Sequence, residues 1–201
     1  MKQYQILEFK QEDIREAAKL CFPQWGKEQT DNGFSHEFGE IMCEYIVRYG
    51  WYDNEYAWKI EDDQMCACIL GGTKYDSSDY DSWLDKKLPE MTDDERSEAL
   101  KIRGYFRTMS ERMKCLMNND TDFYLSFFFS AKLGYGKELL GKLIDTIKTD
   151  GYRHLYLWTD STCNHSFYDK NKFDLIKKIR NENFSSDGED YYSYIYRLTL
   201  I

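Results

Sequence analysis

The stretch SFFFSAKLGYGKELLGKLIDTIKTDGYRHLYLWTD, residues 126–160, decides the reading of this chain. An apolar run through Phe127, Phe128 and Phe129 stops at Ser130, and a short loop holding Gly134 and Gly136 follows. Leu139, Leu140, Leu143, Ile144 and Ile147 then recur at helical spacing within residues 136–150, and a second apolar run, HLYLWT, covers 154–159. A strand, a glycine loop and a helix start make an anion site. The first N–H groups of a helix lack intrahelical partners, the helix dipole is positive there, and glycine removes side chains that would block close approach. Lys132 and Lys137 flank the loop and add charge. The loop is neither a G-x-x-x-x-G-K-[ST] phosphate loop nor a dinucleotide fingerprint, because no third glycine stands at the required spacing.

The remaining segments alternate around this unit. Residues 4–9 read as a strand, 12–22 as a helix with Ile14, Ala17, Ala18 and Cys21 on one face, and 24–37 as a polar loop. A second helix is predicted at 38–49, and a hairpin at 55–60 and 65–72 around EDDQ. A short helix at about 162–171 precedes two closing strands, FDLIKKI and YYSYIYRLTLI, joined by a polar turn with Asp187 and Gly188. Alternation of this kind predicts a mixed α/β sheet.

Residues 76–118 stand apart. Between 76 and 98 there are nine acidic and three basic residues. Thr92 and Glu95 have the spacing of a capping box. Ala99, Ile102, Phe106, Met109, Met113 and Leu116 follow in steps of three and four, which is one buried stripe on a long helix. Such a helix would pack on the domain or wall a substrate cleft.

Composition sets the outer bounds. A chain of 201 residues with 42% hydrophobic residues forms one large domain with a sizeable core. A net charge of −9 argues against nucleic acid and suits a cationic small substrate. No run reaches the ~18 apolar residues of a membrane span. The N-terminal MKQYQILEFKQEDI lacks the apolar centre of a secretory signal. The six cysteines form no C-x-x-C pair and the three histidines show no ligand spacing. Free thiols in a cytoplasmic protein, without a metal site, are therefore expected.

The segment after the second strand, WTDSTCNHSFYDKNKF at 158–173, adds a more specific signal. Asn164, Tyr168, Lys170 and Phe173 resemble the Asn…Tyr-x-Lys-x-Gly-Phe segment of the GNAT superfamily of N-acetyltransferases, and the element order is similar as well. The resemblance covers residues 1–75 by topology and 122–201 by motif and topology. It implies a single acyl-CoA N-acyltransferase-like domain over 1–201. The implied α/β fold has a mixed, mostly antiparallel sheet of about seven strands flanked by helices, with a helical insertion at about 76–118 before the fourth strand.

The implied activity is transfer of an acetyl group from acetyl-CoA to a primary amine of a small molecule or peptide by direct attack. The alternative is a non-catalytic acyl-CoA-binding or regulatory protein. Phe127, Phe128 and Phe129 would line the thioester and pantetheine. Lys132, Leu133, Gly134, Tyr135, Gly136 and Lys137 would offer backbone N–H groups to the pyrophosphate. Asn164 would contact the pantetheine arm, and Tyr168 would protonate the leaving thiolate. Asp160 ranks first as general base, ahead of Asp122 and Glu61. Two positions depart from the pattern: Ala131, where the family has Gln or Arg, and Lys172, where it has Gly. Acceptor-pocket residues are expected from 24–50 and 76–118, with Trp25, Tyr45, Tyr49, Trp51, Tyr52, Asp81 and Trp83 suiting a cationic, partly apolar amine. Strand edges near the C-terminus would allow a homodimer.

Overall fold

Eight consecutive buried residues, Met65–Gly72, mark a strand covered on both faces. This strand organises the fold seen in a computed structural model, which describes residues 4–118, 120–185 and 189–200. In chain order the elements are β1 (Gln5–Glu8), α1 (Ile14–Cys21), α2 (Gly26–Asp31), α3 (His36–Gly50), β2 (Ala57–Asp62), β3 (Gln64–Gly72), α4 (Tyr80–Lys87) and α5 (Asp93–Lys114). They continue with β4 (Asp122–Ser130), α6 (Tyr135–Thr149), β5 (His154–Asp160), α7 (Ser166–Lys170), β6 (Asp174–Arg180) and β7 (Tyr192–Thr199).

The strands form one open seven-stranded sheet in the order β1-β2-β3-β4-β5-β7-β6. Only β4 and β5 run parallel. This is the mixed α/β sheet that the alternation predicts, with the mostly antiparallel pairing and flanking helices that the resemblance implies.

Alternation along β3 divides the core. Ala67 and Ile69 face Leu139, Leu143 and Ile147 of α6. Cys68 and Leu70 face Ile14, Ala17, Cys43 and Val47 of α1 and α3. Full burial of each Leu or Ile is worth roughly 1.5–3 kcal/mol, so these two layers hold the sheet flat against its helices. The six cysteines are unpaired thiols. Among the described residues no helix is long and apolar enough to cross a membrane, and no cluster of His, Cys, Asp and Glu is placed to hold a metal ion.

Between β3 and β4 lie α4 and α5. The capping box forms: Thr92 Oγ1 accepts from Glu95 N at 3.3 Å, and Glu95 Oε2 accepts from Thr92 N at 3.0 Å. Ala99, Ile102, Tyr105, Met109 and Met113 are buried, while Phe106 is half-buried. The stripe covers Tyr124, Tyr156 and Ile195 on the sheet and Phe38, Met42 and Tyr45 of α3.

One expectation fails at residues 24–37, which read as loop but contain α2 and the start of α3. A helix of six residues is too short to be stable alone. Tertiary contact fixes it: Trp25 packs edge-on to Phe129 at 5.5 Å and to Phe127 at 6.0 Å. The predicted turn at Asp187 and Gly188 lies outside the described residues. The sheet edge near the C-terminus is β6, which carries Lys177, Lys178 and Arg180.

Candidate functional site: a cleft where the sheet splits

β4 and β5 pair over three rungs only, from Asp122↔His154 to Tyr124↔Tyr156. Beyond them β4 stays with β3 as far as Ser130, and β5 stays with β7 as far as Asp160. An extra residue in β4 marks the point of divergence. Leu70 opposes Phe127 and Gly71 opposes Leu125, leaving Ser126 as a bulge that bends the strand. Ser126 Oγ donates to Gly50 O at 2.7 Å and to Leu70 O at 3.0 Å. The end of α3 presses so closely here that a Cβ on Gly50 would stand 2.5 Å from Phe127 Cβ. At the apex, the Tyr49 and Tyr124 hydroxyls bond at 2.7 Å, and Trp158 Nε1 donates to Tyr49 Oη at 3.1 Å.

The split opens a cavity of about 740 Å³. Leu125–Ser130 line one side and Leu157–Asp160 the other. With no rungs between the strands here, backbone polar groups of β4 on this side are left to a ligand or to water.

At one end of the cavity is the glycine loop. Gly134 caps α6 with φ 92°, a left-handed conformation that only glycine adopts cheaply. A Cβ on Gly136 would meet Phe128 Cζ at 3.0 Å and Ser130 Cβ at 3.3 Å. Ala131 N donates to Cys66 O and Tyr135 N to Lys132 O. Among the described residues, the N–H groups of Lys132, Leu133, Gly134, Gly136 and Lys137 have no backbone acceptor, and all five residues line the cavity. That is an anion cradle of the helix-start type. Tyr135 is directed elsewhere: its hydroxyl donates to Asp62 at 3.1 Å and its ring packs on Tyr4 at 4.9 Å. Lys132 also reaches Asp62, at 2.8 Å, and holds that carboxyl below the usual carboxylate range. Its positive charge is thus partly answered from within the chain.

Further along stand Asn164, Tyr168 and Asp160, all lining the cavity. The Tyr168 ring lies against Phe173 at 5.4 Å, Phe167 at 5.5 Å and Tyr196 at 5.6 Å. Removal from water pushes its phenol well above the ordinary range, with a smaller contribution from Cys163, so it stays protonated. Asp160 has two separate jobs. Its Oδ1 accepts from Thr162 N at 3.0 Å and Thr162 Oγ1 at 2.7 Å, closing the turn after β5. Its Oδ2 faces the Tyr105 hydroxyl at 3.4 Å.

The two lower-ranked base candidates lie outside the cavity. Asp122 is buried under the closed end of the split, bonded to His154 Nδ1 at 2.8 Å and Asn118 N at 2.8 Å. Glu61 sits on β2 beside Lys59 at 2.6 Å. Conversely, several cavity residues are absent from the named site candidates, although four of them lie within the 24–50 and 76–118 segments expected to build the acceptor pocket. Glu28 and Gln29 of α2 line it, as do Tyr105 and Phe106 of α5 and Phe184 and Tyr191 before β7. Burial raises the Glu28 carboxyl above its ordinary range, and the neighbouring charges of Asp160 and Glu98 add to this.

No protein-family model and no curated protein matches this sequence. Solved structures do match. The C-terminal condensation domain of Ebony, in complex with beta-alanyl-dopamine, superposes with a TM-score of 0.67 at 6% identity, covering 99% of this chain and 100% of that one. Arylalkylamine N-acetyltransferase 2 from Aedes aegypti gives 0.60 at 13% identity, covering both chains fully. An acetyltransferase assigned to the GNAT family, from Desulfovibrio desulfuricans, gives 0.53 at 14% identity, covering 98% of this chain and 99% of that one. By the split between its parallel strands, its strand order and these superpositions, the chain has the GNAT N-acetyltransferase fold.

Proposed function

We propose that this chain is an acetyl-CoA-dependent N-acetyltransferase acting on the primary amine of a small molecule or peptide. One observation carries the reading: a single cavity runs from the free amides of the glycine loop, through the split sheet, to Tyr168 and Asp160. The fold neighbours point the same way, since they include arylalkylamine and agmatine N-acetyltransferases.

Acetyl-CoA supplies an acyl group activated as a thioester. The amides of Lys132–Gly134, Gly136 and Lys137 would hold its pyrophosphate, with Lys137 adding charge. The backbone of Phe127–Phe129 and the Asn164 side chain would take the pantetheine arm, because the broken ladder leaves β4 groups to be satisfied. A neutral amine nitrogen forms the new bond to the carbonyl carbon as the carbon–sulfur bond breaks. The amine proton passes to the Asp160 carboxylate, and the thiolate takes a proton from Tyr168. Tyr168 carries its proton over the whole neutral range, as a donor must, and burial makes it a weaker acid than a free phenol.

Calorimetry with acetyl-CoA, on wild type and Gly134→Glu, tests the site. Binding by wild type that is lost in the variant supports it; equal affinity rejects it. Mass spectrometry of amines incubated with acetyl-CoA and the protein then tests transfer. Ala131 in place of Gln or Arg, together with the Lys132–Asp62 pair, favours a second reading as a non-catalytic acyl-CoA-binding protein. Tight acetyl-CoA binding with no acetylated product from any amine would select it.

A further inference from the structure

The end of the cavity beyond Tyr168 has its own chemistry. Gln24 Nε2 donates to Thr162 O at 2.9 Å, which draws the connection before α2 onto the turn after β5 and roofs the cleft. Glu28, one turn further along α2, lines the cavity beneath that roof together with Asp160. Gln29 Oε1 is buried and has no hydrogen-bond partner. Two carboxylates, Glu28 and Asp160, therefore line this end of the cavity and sense each other's charge. The only basic side chains lining the cavity among the described residues, Lys132 and Lys137, stand at the opposite, glycine-loop end. The cavity is polarised, with an anion cradle at one end and acceptor oxygens at the other.

The walls at this acidic end are aromatic. Phe106 and Tyr105 stand edge-on to Trp158 at 5.0 and 5.4 Å. Phe184 packs on Tyr105 at 5.1 Å and on Tyr191 at 5.3 Å. Ring faces and edges in this arrangement favour a flat, partly apolar ligand and a nearby cation.

Resting on the acetyl-transfer reading, we infer that the acceptor is a small arylalkyl amine. Its nitrogen lies between Glu28 and Asp160, and its ring sits against Phe106, Trp158 and Phe184. A flexible polyamine carries further charges for which this end offers no further lining carboxylate among the described residues, and it gains little from aromatic walls. An aryl acid meets two like charges. Glu28 binds the acceptor nitrogen directly and is the residue that sets preference for an amine.

The test uses the full chain and direct binding, read by tryptophan fluorescence and calorimetry, with and without coenzyme A. The probes are 2-phenylethylamine, spermidine (charge without a ring) and 3-phenylpropanoate (ring with the opposite charge). We expect 2-phenylethylamine to bind at least tenfold more tightly than either of the others. Glu28→Gln should weaken it tenfold or more, leaving acetyl-CoA affinity and the circular dichroism spectrum unchanged. Phe184→Ala should weaken 2-phenylethylamine more than spermidine. The inference is overturned if 2-phenylethylamine binds in neither condition, if spermidine or 3-phenylpropanoate binds as well, or if a folded Glu28→Gln protein keeps wild-type affinity. Because amine binding is read without turnover, a chain that binds the amine but not acetyl-CoA would remove the acetyltransferase reading alone. A chain that binds acetyl-CoA but none of the amines would remove this inference alone.

Discussion

Raising the pH should unfold this protein in one step, driven by its buried tyrosines. Of 17 tyrosines, Tyr45, Tyr49, Tyr105 and Tyr124 are respectively 0%, 3%, 8% and 1% exposed. Burial is the first cause that pushes each of these phenols above its ordinary range. A phenol whose folded pKa is raised contributes stability that is complete below the unfolded value of about 10 and is lost as pH rises past it. At a pH one unit above that value, each phenol ionises in the unfolded chain and not in the folded one. This favours unfolding by about 1.4 kcal/mol per group. Tyr45, Tyr105 and Tyr124, whose phenols are held well above the ordinary range, together remove roughly 4 kcal/mol, and Tyr49 adds to this in the same direction; the total approaches the lower end of the ~5–15 kcal/mol that holds a typical domain together. Tyrosinate absorbance and near-ultraviolet circular dichroism should be followed together from neutral to strongly alkaline pH. Solvent-exposed phenols should titrate first and reversibly. A second group should then ionise cooperatively as the dichroism collapses. One smooth, non-cooperative titration of all 17 tyrosines near pH 10, with the dichroism intact, would refute the reasoning.

Three further outcomes are expected. The Tyr45 hydroxyl is buried without a partner, so Tyr45→Phe should keep or raise stability, whereas Tyr49→Phe loses the bonds to Tyr124 and Trp158 and should cost about 1–3 kcal/mol in urea unfolding. Gly50→Ala drives a methyl into Phe127 and the β4 bulge and should lower stability by about 1–3 kcal/mol, again read by urea unfolding. Tyr168→Phe keeps the ring contacts with Phe173 and Tyr196, so it should leave the melting temperature and acetyl-CoA affinity unchanged while turnover on an identified amine falls roughly 10²–10⁴-fold; wild-type turnover, with chemistry rate-limiting, would remove its role as proton donor.

Much of the fold was legible because its signals are local. The helical period of Leu139, Leu140, Leu143 and Ile147, the Thr92–Glu95 capping box and the apolar runs of β4 and β5 each depend on neighbours a few residues away. The glycine loop was legible for the same reason, since Gly134 takes φ 92° where the chain turns from strand to helix. Asn164 and Tyr168 stood out only through the resemblance of residues 164–173 to the GNAT segment. α2 was hidden, because a short polar segment has no period to read and is held by Trp25 against β4.

The sequence by itself determined which segments are strands and helices, α2 and α4 excepted, and where an anion could meet a helix start. The tertiary structure alone decided where the sheet splits, because the Ser126 bulge is defined only by its register against Leu70 and Gly71. It also separated Asp160 from Asp122 and Glu61, since three carboxylates that look alike along the chain end up in a cavity, under a closed strand pair and beside Lys59. The acceptor end is likewise a product of tertiary structure. Glu28 lies 132 positions from Asp160 along the chain, and no local pattern connects them. They line one cavity because α5, the segment before β7 and Trp25 at the start of α2 bury their aromatic residues against the same opening in the sheet.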